Sequence, residues 1–206
     1  MPLVRTTSAA QDKAPPESRV LLLERLAGSD MGERRRAARA LAREPDAVPA
    51  LAARLECEPE PSVRDALFGG LVDIGGTLAA DLVARLVRSE DASVRGGAIE
   101  ALKRLGDDAV PALDVLLSDT DPDVRILAIE VTRAWPSALA VPRLQRIFES
   151  DPHVNVCGAA VDVATEIGTG ELVEALTSLR ARFAGVPFLI FAVDVACSRI
   201  DAERDA

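Results

Sequence analysis

Apolar residues recur along the chain at helical spacing, in stretches of about a dozen residues separated by short polar turns. In the segment 94–105, for example, an amphipathic stripe with the spacing i, i+4, i+7, i+8, i+11 is formed by Val94, Ala98, Ala101, Leu102 and Leu105. Long runs with the two-residue alternation of β-strands are not found. The pattern therefore predicts an all-α chain.

The helical segments are copies of one another at a nearly constant period. Four copies share an arginine at intervals of 30, 31 and 30 residues, at Arg34, Arg64, Arg95 and Arg125. A fifth copy has Cys157 at this position, and a sixth keeps only the apolar pattern and an acidic residue. A second motif, Ala-Val-Pro-x-Leu, alternates with the first and occurs at 47–51, 109–113 and 140–144.

Two alternating motifs predict helical hairpins, and a hairpin that cannot bury its apolar face alone must stack on its neighbours. We therefore expect an α-α superhelix (solenoid) of about six hairpins at 17–201, between flexible tails at 1–16 and 202–206. The first helices are predicted near 17–27, 46–57, 77–88, 108–118, 138–149 and 170–183. The second helices are predicted near 32–43, 61–74, 92–105, 122–134, 153–167 and 187–200.

The distribution of charge along the chain disfavours some classes of binding partner. Residues 1–105 carry 16 acidic and 16 basic side chains, whereas residues 106–206 carry 17 and 8, so the second half holds the whole net charge of −9. An acidic half disfavours nucleic acid and anionic membranes as partners. Three widely spaced cysteines (Cys57, Cys157 and Cys197) and a polar N-terminus without an apolar signal segment favour a cytoplasmic protein with reduced thiols.

The chain resembles the HEAT repeat family, in the bacterial form called the phycobilisome-lyase HEAT-like repeat. The resemblance covers roughly 17–200 and is carried by Leu-Gly-Asp-Asp-Ala-Val-Pro-Ala-Leu at 105–113 and Asp-Thr-Asp-Pro-Asp-Val-Arg at 119–125. It implies that the second helices line a concave, ligand-facing side. It also implies structural bonds between neighbouring repeats, made by Arg64, Arg95 and Arg125 with Asp91 and Asp121. Cys157 interrupts this ladder, which predicts a looser or differently curved stack.

The sequence offers no catalytic, cofactor or metal site. His153 is the single histidine, whereas resemblance to the deoxyhypusine hydroxylases would require several His-Glu pairs. Cys157 and Cys197 have no histidine placed to activate them. Resemblance to the HEAT-like alkylpurine DNA glycosylases would imply a basic face with aromatic residues, but the second half is acidic. The single tryptophan, Trp135, lies in an apolar stripe and is expected in the core.

Acidic residues recur at one position of the second helices, at Glu100, Glu130, Asp162 and Asp194. Lys103 and Arg133 follow the first two at i+3 and can neutralise them, so the predicted column becomes unpaired towards the C-terminus. Two interpretations remain open: the column solvates the face, or it forms a groove for a basic or amphipathic segment of another protein.

The last predicted helix begins with the segment 186–193, which is apolar all round. A terminal repeat should present a polar outer face, so either the tail after Ile200 folds over this helix or a partner or second copy covers it. The candidate end interface is formed by Phe188, Leu189, Ile190 and Phe191. At the other end, the second helix of the first hairpin carries a basic cluster of Arg34, Arg35, Arg36, Arg39 and Arg43.

These observations favour a non-catalytic scaffold or adaptor that binds a partner protein along the concave face. Two alternatives remain. The resemblance allows a subunit or chaperone of the bilin-lyase type, and the apolar last helix allows an assembly protein that forms a homodimer.

Overall fold

The chain folds into six consecutive helical hairpins. The computed structural model describes residues 18–167 and 169–204, and this part contains no strand. The first helices of the hairpins are α1 (Arg19–Ala27), α3 (Val48–Leu55), α5 (Gly76–Arg85), α7 (Val110–Leu116), α9 (Ser137–Ser150) and α11 (Val173–Arg182). The second helices are α2 (Met31–Leu41), α4 (Pro61–Ile74), α6 (Ala92–Leu105), α8 (Pro122–Thr132), α10 (Val154–Ile167) and α12 (Pro187–Arg204). The predicted all-α solenoid is confirmed.

The helices form two layers with the core between them. Each second helix packs on the next one, from α2 through to α12. The first helices pack likewise, and Asp114 of α7 forms ion pairs with Arg143 and Arg146 of α9. One continuous cluster of mostly Ala, Leu and Val side chains runs between the layers from Leu22 to Ile200. Small and aliphatic side chains let the layers approach closely along the whole stack.

The helix ends follow local chemistry. The side chains of Asp30, Asp91 and Asp121 accept backbone N–H bonds at the starts of α2, α6 and α8. Gly75 ends α4 and Gly106 ends α6 at positive φ, a conformation that side chains disfavour. Short 3-10 turns adjoin four of the first helices, at Pro45–Ala47, Leu86–Arg88, Gly106–Ala109 and Gly170–Leu172.

Helix α9 begins at Ser137, within one residue of the predicted start, so Pro142 lies inside it, whereas the prolines of α3 and α7 are in their first turn. The end of the last helix differs from the sequence prediction. Helix α12 continues to Arg204, so the predicted tail at 202–206 starts as helix, and no segment up to Arg204 folds back over α12. The predicted tail at 1–16 and residues 205–206 lie outside the described residues.

Helix α12 is also rotated relative to its predicted register. The pentapeptide Ala-Val-Asp-Val-Ala occurs in both α10 and α12, yet Val163 is fully buried whereas its counterpart Val195 is 44% exposed. The buried stripe of α12 consists of Leu189, Val193, Ala196 and Ile200. The predicted register would instead have buried a stripe ending in Arg199, and an aliphatic stripe is less costly to bury than one with a guanidinium.

Candidate partner-binding face

The exposed sides of the second helices form one surface, here called the second-helix face, and three of the predicted column residues lie on it. Glu100 and Asp162 are exposed on α6 and α10, and Glu130 is partly exposed on α8. As the i, i+3 spacing predicts, Nζ of Lys103 lies 2.8 Å from a carboxylate oxygen of Glu100. Arg133 likewise donates two 3.0 Å hydrogen bonds to Glu130.

Arg133 connects two repeats. Besides Glu130 it binds Glu166 of α10, and the hydrogen bonds that it donates to the two carboxylates raise the pKa of the guanidinium above its usual value. Glu130 and Glu166 therefore share one cation, which balances only part of their negative charge. Asp162 lies one turn before Glu166 and has no ion-pair partner among the described residues. It is the column residue whose charge stays available.

Asp194 does not continue the column, and the expectation that it is unpaired is wrong. Nε of Arg180 in α11 donates to its carboxylate at 2.8 Å, so Asp194 is turned towards the first-helix layer. The cause is the rotation of α12, which brings Val195 to the exposed side in its place.

The predicted end interface needs a similar correction. Leu189 is fully buried and Ile190 is partly buried, so neither presents a free side chain. Phe188 is 57% and Phe191 71% exposed, and with Val195 they form what we call the α12 apolar patch. A Cβ atom at Gly158 of α10 would lie 3.9 Å from the Phe188 ring. Asp162 is one turn beyond Gly158, so the patch adjoins the available carboxylate.

The arginines that recur at one position of the repeats bind neighbouring repeats with a recurring geometry. Nη1 of Arg34 donates to the carbonyls of Gly28 and Ser29, while its Nε and Nη2 form a fork on the carboxylate of Glu58 at 2.8 Å. Arg125 repeats this arrangement, with the carbonyls of Asp119 and Thr120 and the carboxylate of Asp151. Arg64 pairs with Asp91 at 2.8 Å. The structural role predicted for Arg64 and Arg125 is thus supported by their contacts.

We call each arginine–carboxylate link between neighbouring hairpins a rung, and Glu58 is the buried carboxylate of the first rung. Its side chain is inaccessible to solvent and contacts both Arg34 and Arg54. Burial alone would raise the pKa of this carboxyl. Hydrogen bonds from Arg34, Arg54 and the Glu60 backbone N–H outweigh burial and lower the pKa to about 2.

Two predicted members of the ladder do not pair with each other. Within the described part of the chain, Arg95 donates only to the carbonyls of Ser89 and Glu90, and Asp121 accepts the backbone N–H of Asp123 at the start of α8. The ladder is therefore open between the third and fourth hairpins, although the sequence has an arginine there.

At Cys157 the missing arginine is replaced from the next hairpin. The thiol donates weakly to the carbonyl of Asp151 at 3.4 Å, and Arg182 of α11 donates to that carbonyl at 2.5 Å and to the carbonyl of Phe148. The part of the stack that was predicted to be looser because of Cys157 is thus joined by the hydrogen bonds of Arg182. Burial is the main cause that raises the pKa of Cys157 to about 11, so the thiol is neutral at physiological pH.

Sequence reasoning missed the acidic partners of the ladder. Glu58 and Asp151, which pair with Arg34 and Arg125, each lie six residues before the next ladder position. Asp119 has the same spacing before Arg125, but it binds Arg88. This six-residue spacing could have identified the carboxylates from the sequence. The predicted basic cluster is also divided, because Arg34 is buried against Glu58 and Arg36 binds Glu33.

Other candidate chemistry can be placed as well. Trp135 is 5% exposed, as expected of a core residue, with the Arg143 guanidinium 5.8 Å from its ring centroid. Within 18–167 and 169–204, no three side chains of His, Cys, Asp or Glu are grouped to hold a metal ion. No helix in this part of the chain is long and apolar enough to cross a membrane.

Six stacked hairpins linked by arginine–carboxylate rungs define an α-solenoid repeat protein. The family model for HEAT repeats matches residues 19–103 and 79–162, which together cover more than half of the chain. The chain belongs to the HEAT repeat family, as the sequence resemblance indicated.

Several solved structures are similar to the chain. An archaeal HEAT-like repeat protein from Thermococcus onnurineus NA1 is 16% identical over 89% of this chain and 87% of its own, with a TM-score of 0.48. The CpcE–CpcF complex of phycocyanin lyase from Nostoc sp. PCC7120 is 18% identical over 97% and 100%, with a TM-score of 0.39. A designed armadillo repeat protein in complex with the peptide (KR)4 is 15% identical over 89% and 100%, with a TM-score of 0.43. No curated protein sequence matches the chain.

Proposed function

We propose that the protein is a non-catalytic scaffold that binds a basic, amphipathic segment of a partner protein on the second-helix face. The binding site lies at the C-terminal end of this face, across α10 and α12. The observation that carries the proposal is the α12 apolar patch next to the unpaired carboxylate of Asp162.

The chemistry of this region selects the occupant. Two phenylalanines and a valine spaced 3 and 4 residues apart give one apolar stripe, which suits the apolar face of another helix. Exposed aromatic side chains grouped in this way are typical anchors of protein interfaces. Asp162 beside them favours Lys or Arg over Asp or Glu at the edge of the bound segment.

The rest of the face supports a preformed site. Arg133 already fixes Glu130 and Glu166, so these carboxylates need no ordering when a partner binds. The layers beneath are closely packed, with Val156, Ala160 and Val163 of α10 fully buried. A rigid surface lowers the entropic cost of holding an extended partner.

Binding to a labelled model helix with leucines on one face and lysines on the other tests the proposal by fluorescence anisotropy. We expect Phe191→Asp and Asp162→Lys each to weaken binding by roughly tenfold or more, since each removes an anchor or reverses an attraction. The matched controls are Val115→Asp and Glu149→Lys, which make the same changes at exposed positions of α7 and α9 in the other layer.

Equal affinity for all four variants would refute this site. Light scattering of the same samples separates the alternative of self-association through the α12 apolar patch. In that case the wild-type protein is a dimer, Phe191→Asp is a monomer, and Asp162→Lys changes neither the mass nor peptide binding.

A further inference from the structure

A cleft of about 620 Å³ lies where the ladder is open, between the third and fourth hairpins. Its walls come from the turns before α6 and α8 and from the first turns of α8. The polar residues facing it include Arg88, Arg95, Asp119 and Asp121, and the apolar ones include Ile126 and Leu127. This position is at the edge of the solenoid formed by the loops within hairpins, and it is separate from the proposed binding site on α10 and α12.

Arg95 is held in the cleft in the same way as the arginines of the closed rungs. Its Nη1 donates to the carbonyls of Ser89 at 2.7 Å and Glu90 at 3.0 Å, six and five residues earlier. Arg34 and Arg125 make the same pair of bonds to carbonyls at the same spacing. In those two rungs the bonds orient Nε and Nη2 towards a carboxylate. In Arg95 the same two bonds leave Nε and Nη2 available for a carboxylate, and these atoms have no partner among the described residues.

The chain's own carboxylates do not fill this fork because they bind elsewhere. Asp119 holds the place that Glu58 and Asp151 hold in the closed rungs, six residues before the next ladder position. It accepts the Asp121 N–H at 2.9 Å and forms an ion pair with Arg88. Asp121 accepts the N–H of Asp123 at 2.9 Å, at the start of α8.

We propose that this cleft binds a carboxylate ligand, whose two oxygens take the fork of Arg95 as Glu58 and Asp151 take the forks of Arg34 and Arg125. A planar guanidinium with two parallel N–H donors matches a carboxylate bidentately, and two of its homologues in this chain are bound in that way.

The size and lining of the cleft specify the ligand further. A carboxylate alone fills a small part of 620 Å³, a volume in the range of small-molecule sites. Ile126 and Leu127 are partly buried and offer aliphatic surface to the remainder. The ligand is therefore a carboxylate attached to an aliphatic body, such as the terminal residue of a peptide or an acidic side chain with its stem.

Nearby acidic residues do not cancel this preference. The charge of Asp119 is balanced by Arg88, and Asp121 is hydrogen bonded at the start of α8. Glu90 and Asp123 also face the cleft, are exposed and carry further negative charge, so they reduce the affinity and favour ligands with a single carboxylate. The inference concerns other residues than the proposed function and does not depend on it.

NMR titration of the full chain tests the proposal through the side-chain Nε–H signal of Arg95. N-acetyl-leucine mimics a peptide terminus, N-acetyl-isoglutamine offers the carboxylate of a glutamate side chain, and acetate offers the charge alone. N-acetyl-leucinamide has the same aliphatic body without charge. We expect the first two to shift the Arg95 signal at lower concentration than acetate, and the stronger of them identifies the source of the carboxylate. The amide should leave the signal unchanged.

Variants make the assignment specific. Arg95→Lys keeps the charge but loses the fork and should weaken N-acetyl-leucine binding by roughly tenfold. Arg85→Lys makes the same change at an exposed arginine of α5 outside the cleft and should have no effect. Asp119→Asn should strengthen binding because it removes a negative charge that faces the cleft.

Either of two results would overturn the proposal. One is an Arg95 signal that ignores every carboxylate or responds equally to the amide. The other is a loss of stability in Asp119→Asn as large as that in Asp151→Asn, which would mean that Asp119 fills the fork in solution.

Discussion

Glu58 carries its negative charge inside the molecule, between Arg34 and Arg54. Glu58→Gln leaves Arg34 buried without a charged partner, and removing one partner of a buried pair costs about 3 kcal/mol. We therefore expect a decrease of this order in the free energy of unfolding, measured by urea denaturation at neutral pH. Glu56→Gln is the control, since Glu56 is exposed in the same turn and such changes stay within about 0.5 kcal/mol.

Glu58 also makes the free energy of unfolding depend on pH. Because folding lowers the pKa of Glu58 to about 2, its contribution is complete above the ordinary carboxyl pKa and is lost as the pH falls towards 2. The difference in stability between wild type and Glu58→Gln should therefore shrink in acid. A difference that stays constant down to pH 2 would contradict the lowered pKa.

Two adjacent glycines of α6 have opposite expected effects when replaced by alanine. A Cβ at Gly96 meets no atom within 4 Å, so Gly96→Ala should stabilise the protein by about 0.5–1 kcal/mol because alanine loses less backbone entropy in a helix. A Cβ at Gly97 would lie 2.3 Å from the buried Phe68 ring, so Gly97→Ala should destabilise it by about 1–3 kcal/mol. Thermal unfolding of both variants checks the signs, and two shifts in the same direction would show that Phe68 packs differently.

Helices α4 and α6 each contain a pair of adjacent glycines, and in each pair one glycine lies in close contact with a neighbouring helix. Gly70 and Gly97 lie against neighbouring repeats, whereas Gly69 and Gly96 face open space. Helical periodicity identifies which residues share a face, but it does not give the distance to the next helix. The ladder shows the same limit, because the arginines follow from the repeat, while the binding of Asp119 to Arg88 depends on side-chain geometry.

Among the secondary-structure elements, every predicted helix exists. The predicted register of α12 is wrong, however, and this error changes which residues lie on the candidate binding face. Local sequence was misleading here because α10 and α12 share the pentapeptide Ala-Val-Asp-Val-Ala. The rotation is decided by the whole buried stripe from Leu189 to Ile200, about three turns long, because the alternative stripe would end in Arg199. Extending the comparison to that arginine would have predicted Val195 on the exposed side and Asp194 off the column.

Helix α11 supplies the link that Cys157 cannot make, through Arg182. Arg182→Met removes its two bonds to the carbonyls of Phe148 and Asp151, and charge-assisted bonds of this kind contribute about 1.5–3 kcal/mol. We expect a loss of that order in urea denaturation, with faster amide hydrogen exchange in α9 to α12. Arg180→Met is the control, because the ion pair of Arg180 with Asp194 is about half exposed and contributes under about 1 kcal/mol. Equal losses in the two variants would mean that Arg182 forms no such link.

For the whole molecule, the repeat period predicted the architecture because each hairpin depends on its neighbours for a core. The same period could not predict how evenly the hairpins are coupled. The first three are joined by the Arg34–Glu58 and Arg64–Asp91 rungs, and the last three by Arg125–Asp151 and Arg182. Between them the fork of Arg95 is unfilled beside the cleft, and the third and fourth hairpins are joined by the Arg88–Asp119 ion pair and by a hydrogen bond from the Gly76 N–H to Asp108.

This uneven coupling predicts two units of local stability that meet at the cleft. Because repeat proteins are stabilised through nearest neighbours, a broken rung should lower stability mainly on its own side. Native-state hydrogen exchange checks this with Arg125→Met, which leaves the Asp151 carboxylate buried and should cost about 3 kcal/mol. Amides of α8 and α10 should lose protection by that amount, while those of α2 and α4 keep theirs, and Arg34→Met should give the reverse pattern. Equal losses throughout the chain would show one cooperative unit, in which core packing of α6 against α8 couples the halves without a rung.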